Sequence, residues 1–450
     1  MQILSQILFV AALGAAAYFI SRRVMLIKNT IQLGRAEDRS DNPSERLKTM
    51  LLIAFGQKKM FNRPIVGFMH FIIYAGFVII NIEVLEIMID GIFGSHRIFF
   101  GPLGESIYSF LINFFEILAF GVLAVCVVFL IRRNITKIQR FQATRHREMK
   151  GWATNDANII LITEILLMWA FLSMNAVDTI LQERAVGHYG EVRTGNFWVS
   201  QWLKPLFIGF SDNVLVIYER AAWWFHILGI MAFAIFVTYS KHLHIFLAFP
   251  NTYFSNLNPK GEMANMPTVT KEVKIMLGLE EPEPNPAEVG RFGAKDVKDL
   301  SWKNLMDAYS CTECGRCTSS CPANMTGKDL SPRKIMMNTR DRLEDIQKGW
   351  LATDQKAPIA DFDDGKTLMG DYISEEEILA CTTCNACVEE CPINISPLDI
   401  ILQLRRYKVM EEAQAPASWN GMFSNLENNM APWKFSPSDR FNWVDGLNKE

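Results

Sequence analysis

The sequence lacks the short motifs that bind nucleotide phosphates or activate a nucleophile. No glycine-rich dinucleotide fingerprint, phosphate-binding loop or nucleophile elbow occurs in its 450 residues. These absences argue against bound NAD or flavin. Long apolar runs are absent from residues 251–450, whereas residues 1–250 contain several. The net charge of −3 indicates no particular partner and gives no reason to expect nucleic acid.

Cysteine is sparse, but eight of the nine cysteines form two copies of one twelve-residue pattern. The first copy is Cys311, Cys314, Cys317 and Cys321 followed by Pro322, and the second is Cys381, Cys384, Cys387 and Cys391 followed by Pro392. This spacing is typical of runs that bind [4Fe–4S] clusters in two-cluster ferredoxins, where the last cysteine of each run ligates the other cluster. The predicted sets are Cys311, Cys314, Cys317 and Cys391 for one cluster, and Cys381, Cys384, Cys387 and Cys321 for the other.

Disulfides and zinc are the alternatives for these cysteines. Disulfides need an oxidising compartment, and zinc sites use paired Cys-x-x-Cys motifs rather than two runs of three plus one. The ninth cysteine, Cys126, lies in an apolar run and is interpreted as a core residue.

The C-terminal part is predicted to be helical. Residues 332–343 and 375–380 have helical patterns, and Ser374 is a suitable N-cap before three glutamates. Residues 301–412 are therefore expected to form an α-helical ferredoxin domain. This region resembles the iron–sulfur subunit of heterodisulfide reductase and the C-terminal half of the succinate dehydrogenase iron–sulfur subunit. The Cys-Cys-Gly motifs of the catalytic heterodisulfide reductase subunit are missing.

Five apolar stretches in residues 1–250 are long enough to cross a membrane as helices. They are Ile3–Ile20, Ile65–Ile89, Ile107–Ile131, Asn158–Leu181 and Ala221–Phe249. No basic residue precedes the first stretch and Arg22-Arg23 follow it, which favours a retained helix over a signal peptide. The fold class predicted is all-α: a five-helix membrane bundle over residues 1–250 and a helical two-cluster domain.

Basic residues are concentrated in two of the loops between these stretches. The loops after the first and third are strongly basic, while those after the second and fourth have few lysines and arginines. The positive-inside rule then predicts an inner-membrane protein with the N-terminus outside and the iron–sulfur domain in the cytoplasm.

Histidines within the apolar stretches are candidate haem ligands. His226 and His244 are 18 residues apart, which on one continuous helix is five turns and places both on one face. His70, near the inner end of the second stretch, is predicted to share one haem with His244. His226 is expected near the outer surface.

The same segments resemble the respiratory nitrate reductase gamma subunit, a five-helix cytochrome with two b-type haems. That resemblance implies haem ligation by His70, His226 and His244. The family's remaining ligand position is occupied here by Ile80, so either one haem is bound, or two if Met88 or His96 replaces the missing ligand.

Glu83 and Glu86, with Asp90, lie on one face of the second stretch near its outer end. They are candidates for proton transfer with a quinone, or for a solvated helix end. Residues 251–300, with a proline-rich part at 282–286, are expected to be an extended linker, and residues 413–450 an extended tail.

The sequence thus resembles a membrane iron–sulfur oxidoreductase, a fusion of the cytochrome and cluster-binding families. The expected function is electron transfer between a cytoplasmic redox protein and the quinone pool through two [4Fe–4S] clusters and haem b. An electron-transfer flavoprotein or a Cys-Cys-Gly reductase is the expected partner. The alternatives are an ion-translocating subunit of a redox complex, and a redox sensor or scaffold.

Overall fold

The structure is a computed structural model, and it describes residues 2–191, 194, 197–259, 261–282 and 291–447. Helices dominate it: α1 Gln2–Ile31, α2 Pro43–Met50, α3 Pro64–Phe93, α4 Phe100–Asn134, α5 Trp152–Glu183, α6 Asp212–Val237, α7 His244–Tyr253, α8 Pro267–Met276, α9 Trp302–Ser310, α10 Arg316–Ser319, α11 Pro322–Met325, α12 Pro332–Leu351, α13 Glu375–Leu379, α14 Ala386–Glu390, α15 Pro397–Arg406, α16 Ala417–Asn429 and α17 Val444–Leu447. Within the described ranges no strand forms, and bridging is limited to two isolated backbone pairs. The prediction of an all-α fold is confirmed.

Five helices, α1 and α3 to α6, are long and apolar enough to cross a membrane. Local sequence sets where several of them start and stop. Pro64 opens α3, where a missing N–H costs nothing, and Gly94 closes it with a φ of 70°. Large apolar side chains such as Ile65, Phe93 and Ile107 face outward from the bundle, as a lipid-facing surface requires.

The fifth long helix differs from its prediction at both ends. It begins at Asp212, nine residues before the apolar stretch, and ends at Val237 instead of continuing to Phe249. After Val237 the chain turns, and α7 starts at His244. The prediction that His226 and His244 lie on one continuous helix is therefore wrong.

The break after Val237 has a tertiary cause. Asp156 of α5 accepts hydrogen bonds from Ser240 Oγ at 2.6 Å and from the Lys241 backbone N–H at 3.0 Å. Ser240 has an extended backbone, with ψ of 157°, which a helix cannot include. The buried carboxylate thus binds the turn in place of the helical hydrogen bonds.

Helices α9 to α15 surround a second core, which contains the cysteine runs. Capping boxes start two of them: Ser301 with Asn304 at α9, and Ser374 with Glu377 at α13, which confirms the predicted N-cap. The end of α1 contributes to this core, because Ile27 is buried in it. The two halves of the chain are therefore packed together directly.

The linker and the tail are more ordered than the sequence predicts. Ala294, Val297 and Leu300 are fully buried in the second core, so packing begins before residue 301. Helix α8 lies within the linker, whereas Pro284 and Pro286 lie outside the described residues. The prediction of an extended tail is wrong over Ala417–Asn429, which form α16.

Candidate functional site

The two cysteine runs fold alike. In each run a loop follows a helix and passes through two left-handed residues, Glu313 and Gly315 in the first, Thr383 and Asn385 in the second. A short helix then leads to the last cysteine. The matching backbone turns curl each Cys-x-x-Cys-x-x-Cys segment so that three thiols converge on one side of the loop.

The cysteines group across the runs. A small pocket is lined by Cys321, Cys381, Cys384 and Cys387, which are three thiols of the second run and the last thiol of the first. The other four also lie together, because Cys317 interacts electrostatically with Cys311, Cys314 and Cys391. Burial raises the pKa of Cys311 and of Cys391 to about 12. Such thiols ionise readily only beside a cation, which the iron of a cluster provides.

A cavity of about 440 Å³ occupies the inner part of the five-helix bundle and reaches the first cysteine run. His70, His226, His242 and His244 line it, and so do Thr312, Glu313, Cys314, Arg316 and Pro392 of the cluster loops. Its walls are mostly apolar, which is usual for a cofactor site with a few placed polar groups.

Three of these histidines are oriented by hydrogen bonds at Nδ1. His70 Nδ1 lies 2.9 Å from Gln57 Oε1, His244 Nδ1 3.0 Å from the Lys241 carbonyl oxygen, and His226 Nδ1 3.0 Å from the Leu167 carbonyl oxygen. Because an oxygen acceptor fixes the proton on Nδ1, each Nε2 keeps its lone pair free for iron or another donor. His242, which the sequence did not single out, stacks edge-on against His244 at 5.4 Å between ring centroids.

His70 and His244 are close enough to interact electrostatically, so the structure brings the predicted inner pair together. His226 lies elsewhere on the cavity wall. It is 14 residues into the 26-residue helix α6, near mid-helix rather than near the outer surface as the sequence predicts. The prediction of an outer position was wrong because the polar start of α6, with Glu219 bound to Tyr189 Oη at 2.6 Å, extends the helix beyond its apolar stretch.

Two arginines at the inner end of the cavity have unused hydrogen-bonding capacity. Arg133 Nε and Nη2 and Arg140 Nε are buried and have no hydrogen-bond partner among the described residues. Both side chains line the cavity. A buried guanidinium without an acceptor favours an anionic group, and haem propionates are such groups.

The acidic side chains predicted near the outer end lie away from the cavity. Glu86 accepts hydrogen bonds from Tyr108 Oη at 2.8 Å and from the Phe99 backbone N–H at 2.9 Å. Asp90 binds the loop after α3 through Arg97 N at 2.7 Å. Glu83 is buried, and its Oε2 has no hydrogen-bond partner among the described residues.

The two substitute ligands suggested for a second haem do not border the cavity in the described part of the chain. Met88 packs between helices in the cluster that contains Phe9 and Met231. His96 stacks against His188 and Tyr189, with ring centroids 5.3 Å and 5.8 Å away. Neither side chain can reach the iron of a haem beside His226.

Sequence reasoning missed two polar cavity residues, Glu164 and Asn81. Glu164 lies in the middle of an apolar stretch, where an ionisable residue is a functional candidate by default. That signal was available in the sequence. The signal for Arg133 and Arg140 was not, because basic residues at a helix end usually face solvent or lipid headgroups.

Comparison with known proteins supports the iron–sulfur chemistry. Residues 310–395 match the family model of the 4Fe-4S dicluster domain. The chain is 28% identical, over 95% of its length and 59% of the relative's, to the probable iron-sulfur-binding oxidoreductase FadF of Bacillus subtilis. It is 27% identical, over 90% of its length and 55% of the relative's, to the EtfAB:quinone oxidoreductase of Syntrophomonas wolfei.

A third relative covers the cluster-binding region alone. Over 25% of this chain and 52% of the relative, the identity is 34% to one component of a ferredoxin/F420H2-dependent CoB-CoM heterodisulfide reductase of Methanosarcina acetivorans. No solved structure matches the chain. The chain spans between half and three-fifths of the length of the first two relatives.

These relatives are iron–sulfur oxidoreductases, and this chain is similar to them in its cluster-binding region and over most of its length. It is a membrane protein by its five apolar helices. The resemblance to the nitrate reductase gamma subunit stays a prediction.

Proposed function

We propose that the chain carries electrons between a soluble redox protein and membrane quinone through two [4Fe–4S] clusters and one haem b. The observation that carries this proposal is the shared wall of the bundle cavity. Cys314 of one cluster loop borders the same cavity as His70 and His244. A cluster and a haem bound there would lie next to each other, as direct electron transfer requires.

The ligand sets follow from the grouping of the thiols. Cys311, Cys314, Cys317 and Cys391 would hold the cluster beside the cavity, and Cys381, Cys384, Cys387 and Cys321 the second cluster. Pro392 and Thr312 place the first of these clusters at the bundle. Cys384 is exposed at the other, so the second cluster is the entry point for a soluble partner. Electrons then pass through the second cluster, the first cluster and the haem in sequence.

The haem would be bound by His70 and His244 through Nε2, with Arg133 and Arg140 at its propionates. Haem supplies a one-electron carrier whose potential depends on its ligands and on nearby charge. Gln57 and the Lys241 carbonyl orient the two imidazoles. The apolar wall excludes water, and the arginines keep negative charge in place at the inner end.

The choice of partner and the topology rest on weaker support. An electron-transfer flavoprotein is the partner favoured by the name of the Syntrophomonas relative, and a Cys-Cys-Gly reductase is the other candidate. The basic loops after α1 and α4 place the cluster domain on the cytoplasmic side of the inner membrane. Glu83 and Glu86 stay proton-transfer candidates at the opposite side of the bundle, although Glu86 is already hydrogen-bonded.

The test is a reoxidation experiment on detergent-purified protein. The chain is reduced with dithionite and then mixed with a water-soluble quinone analogue, while the haem band and the cluster signals are followed. Reoxidation of haem and of both clusters within seconds is expected. Clusters that stay reduced, or a preparation without haem, would overturn the proposal.

A further inference from the structure

The cavity extends well beyond the proposed haem pair. Its deep part is bordered by His226, Glu164, Asn81 and Ile80. Glu164 is 12 residues into α5, about 18 Å along the helix, and Ile80 is 16 residues into α3, about 24 Å along it. His70 is only six residues into α3, about 9 Å along. The deep part therefore lies near the middle of the membrane, above the level of His70.

Glu164 and His226 border this part of the cavity together. Leu167, whose carbonyl accepts the His226 Nδ1–H, is one turn beyond Glu164 and on the same face of α5. The Glu164 carboxylate makes no hydrogen bond to a described residue, although the residue lies within a membrane-spanning helix. An ionisable group at that depth is costly unless it serves a ligand or a proton.

The deep part is poorly suited to a second haem. A low-spin haem needs axial ligands on opposite faces, and α3 presents Ile80, which is 7% exposed and cannot bind iron. Met168 also lines the cavity, but it directly follows Leu167 on the helix that holds His226 from behind. It therefore lies on the same side as His226 and not across from it.

A quinone head group suits the same residues. It is flat and carries two oxygens on opposite edges, each of which binds a proton in the quinol form. His226 Nε2 is an acceptor because its Nδ1 proton is held by a carbonyl. Val84, Ile160 and Ile230 supply apolar walls for the ring and the first part of an isoprenoid tail.

We propose that the deep part of the cavity binds the quinone head group between His226 and Glu164. In quinol oxidation one hydroxyl proton passes to His226 Nε2 and the other to the Glu164 carboxylate. Two electrons leave one at a time toward the His70 and His244 end, and the product is the quinone. Quinone reduction is the same exchange in reverse. This inference rests on the proposed function, since the electrons need a carrier at the inner end.

The experiment compares Glu164→Gln with wild type and with Glu105→Gln, which changes an exposed carboxylate at the start of α4. Each purified protein is mixed with a reduced quinone analogue, and the rate of haem reduction is measured. Glu164→Gln is expected to slow this rate about 100-fold, the usual contribution of a positioned base, while dithionite still reduces the haem fully. Glu105→Gln should match wild type.

A second variant separates the quinone site from a second haem. His226→Leu should keep the wild-type ratio of haem to protein and lose most of the quinol-driven rate. A fall in that ratio from two to one would overturn the inference in favour of a second haem, and so would an unchanged rate in Glu164→Gln. If wild type itself shows no quinol-driven reduction, it is the proposed function that fails.

Discussion

Replacement of Glu313 by glutamine is expected to loosen the junction between the cluster loop and the bundle. Glu313 is 3% exposed, and its carboxylate forms ion pairs with Lys241, next to α7, and with Arg340 of α12, the latter at 2.6 Å. Lys241 Nζ also donates to the Ala153 carbonyl at 2.6 Å. The carboxylate thus joins the first cysteine loop to two other parts of the fold.

The magnitude follows from the two cations that the variant leaves behind. Breaking a buried ion pair by removing one partner costs about 3–5 kcal/mol, because the remaining charge stays buried without compensation. Burial raises the pKa of Glu313, but Arg340 and Lys241 outweigh burial and hold it below its usual range. The pair is therefore fully charged above the unfolded-state pKa of about 4.3, and its contribution is lost only as the pH falls below that value.

The assay is thermal loss of cluster absorbance, measured between pH 6 and 9 in mild detergent. Glu313→Gln and Lys241→Met should each lower the transition temperature across that whole range. Their combination should be less destabilised than the sum of the two single effects, since both act on one ion pair. Glu376→Gln, an exposed carboxylate in the same region, is the control. A Glu313→Gln transition equal to that of Glu376→Gln would refute the reasoning.

Three further predictions concern the haem pocket, the exposed cluster and the second core. Arg133→Leu should lower the haem midpoint potential by about 60 mV, equivalent to ~1.4 kcal/mol for one electron, in a potentiometric titration; an unchanged potential would place the propionates elsewhere. Cys384→Ser should remove the second cluster from the electron paramagnetic resonance spectrum and abolish reduction by the soluble partner, yet leave the haem spectrum intact; loss of the haem as well would contradict this. Gly293→Ala should lower the thermal transition more than Gly365→Ala, because both have φ above 70° but only the first Cβ would lie 2.2 Å from the Gln403 carbonyl oxygen; equal transitions would show that this contact is relieved at no cost.

The local features of the fold could be predicted from sequence because their causes are local. Cysteine spacing within each run determines the ligand geometry, and Ser374 caps α13 through a residue three positions away. The five long helices follow from apolar length alone. His70 and His244 could be paired because both lie close to the same side of the bundle.

The remaining features depend on contacts between distant residues. Helix α6 ends at Val237 because Asp156, more than 80 residues earlier, binds the turn that follows. His226 is at mid-helix because partners such as Tyr189 bury the polar start of α6. No periodicity in the local sequence contains this information. Glu164 is different, since a carboxylate inside an apolar stretch is visible in the sequence itself.

The central claim is that His70 binds a haem next to a cluster, and a count of cofactors in His70→Ala tests it most directly. Wild type and His188→Ala, an exposed histidine in an outer loop, should contain haem b and the iron of two clusters, about eight non-haem irons per chain. His70→Ala should keep that iron and lose the low-spin haem band from the reduced-minus-oxidised spectrum. An unchanged haem band in His70→Ala, or wild-type protein with clusters but no haem, would contradict the account.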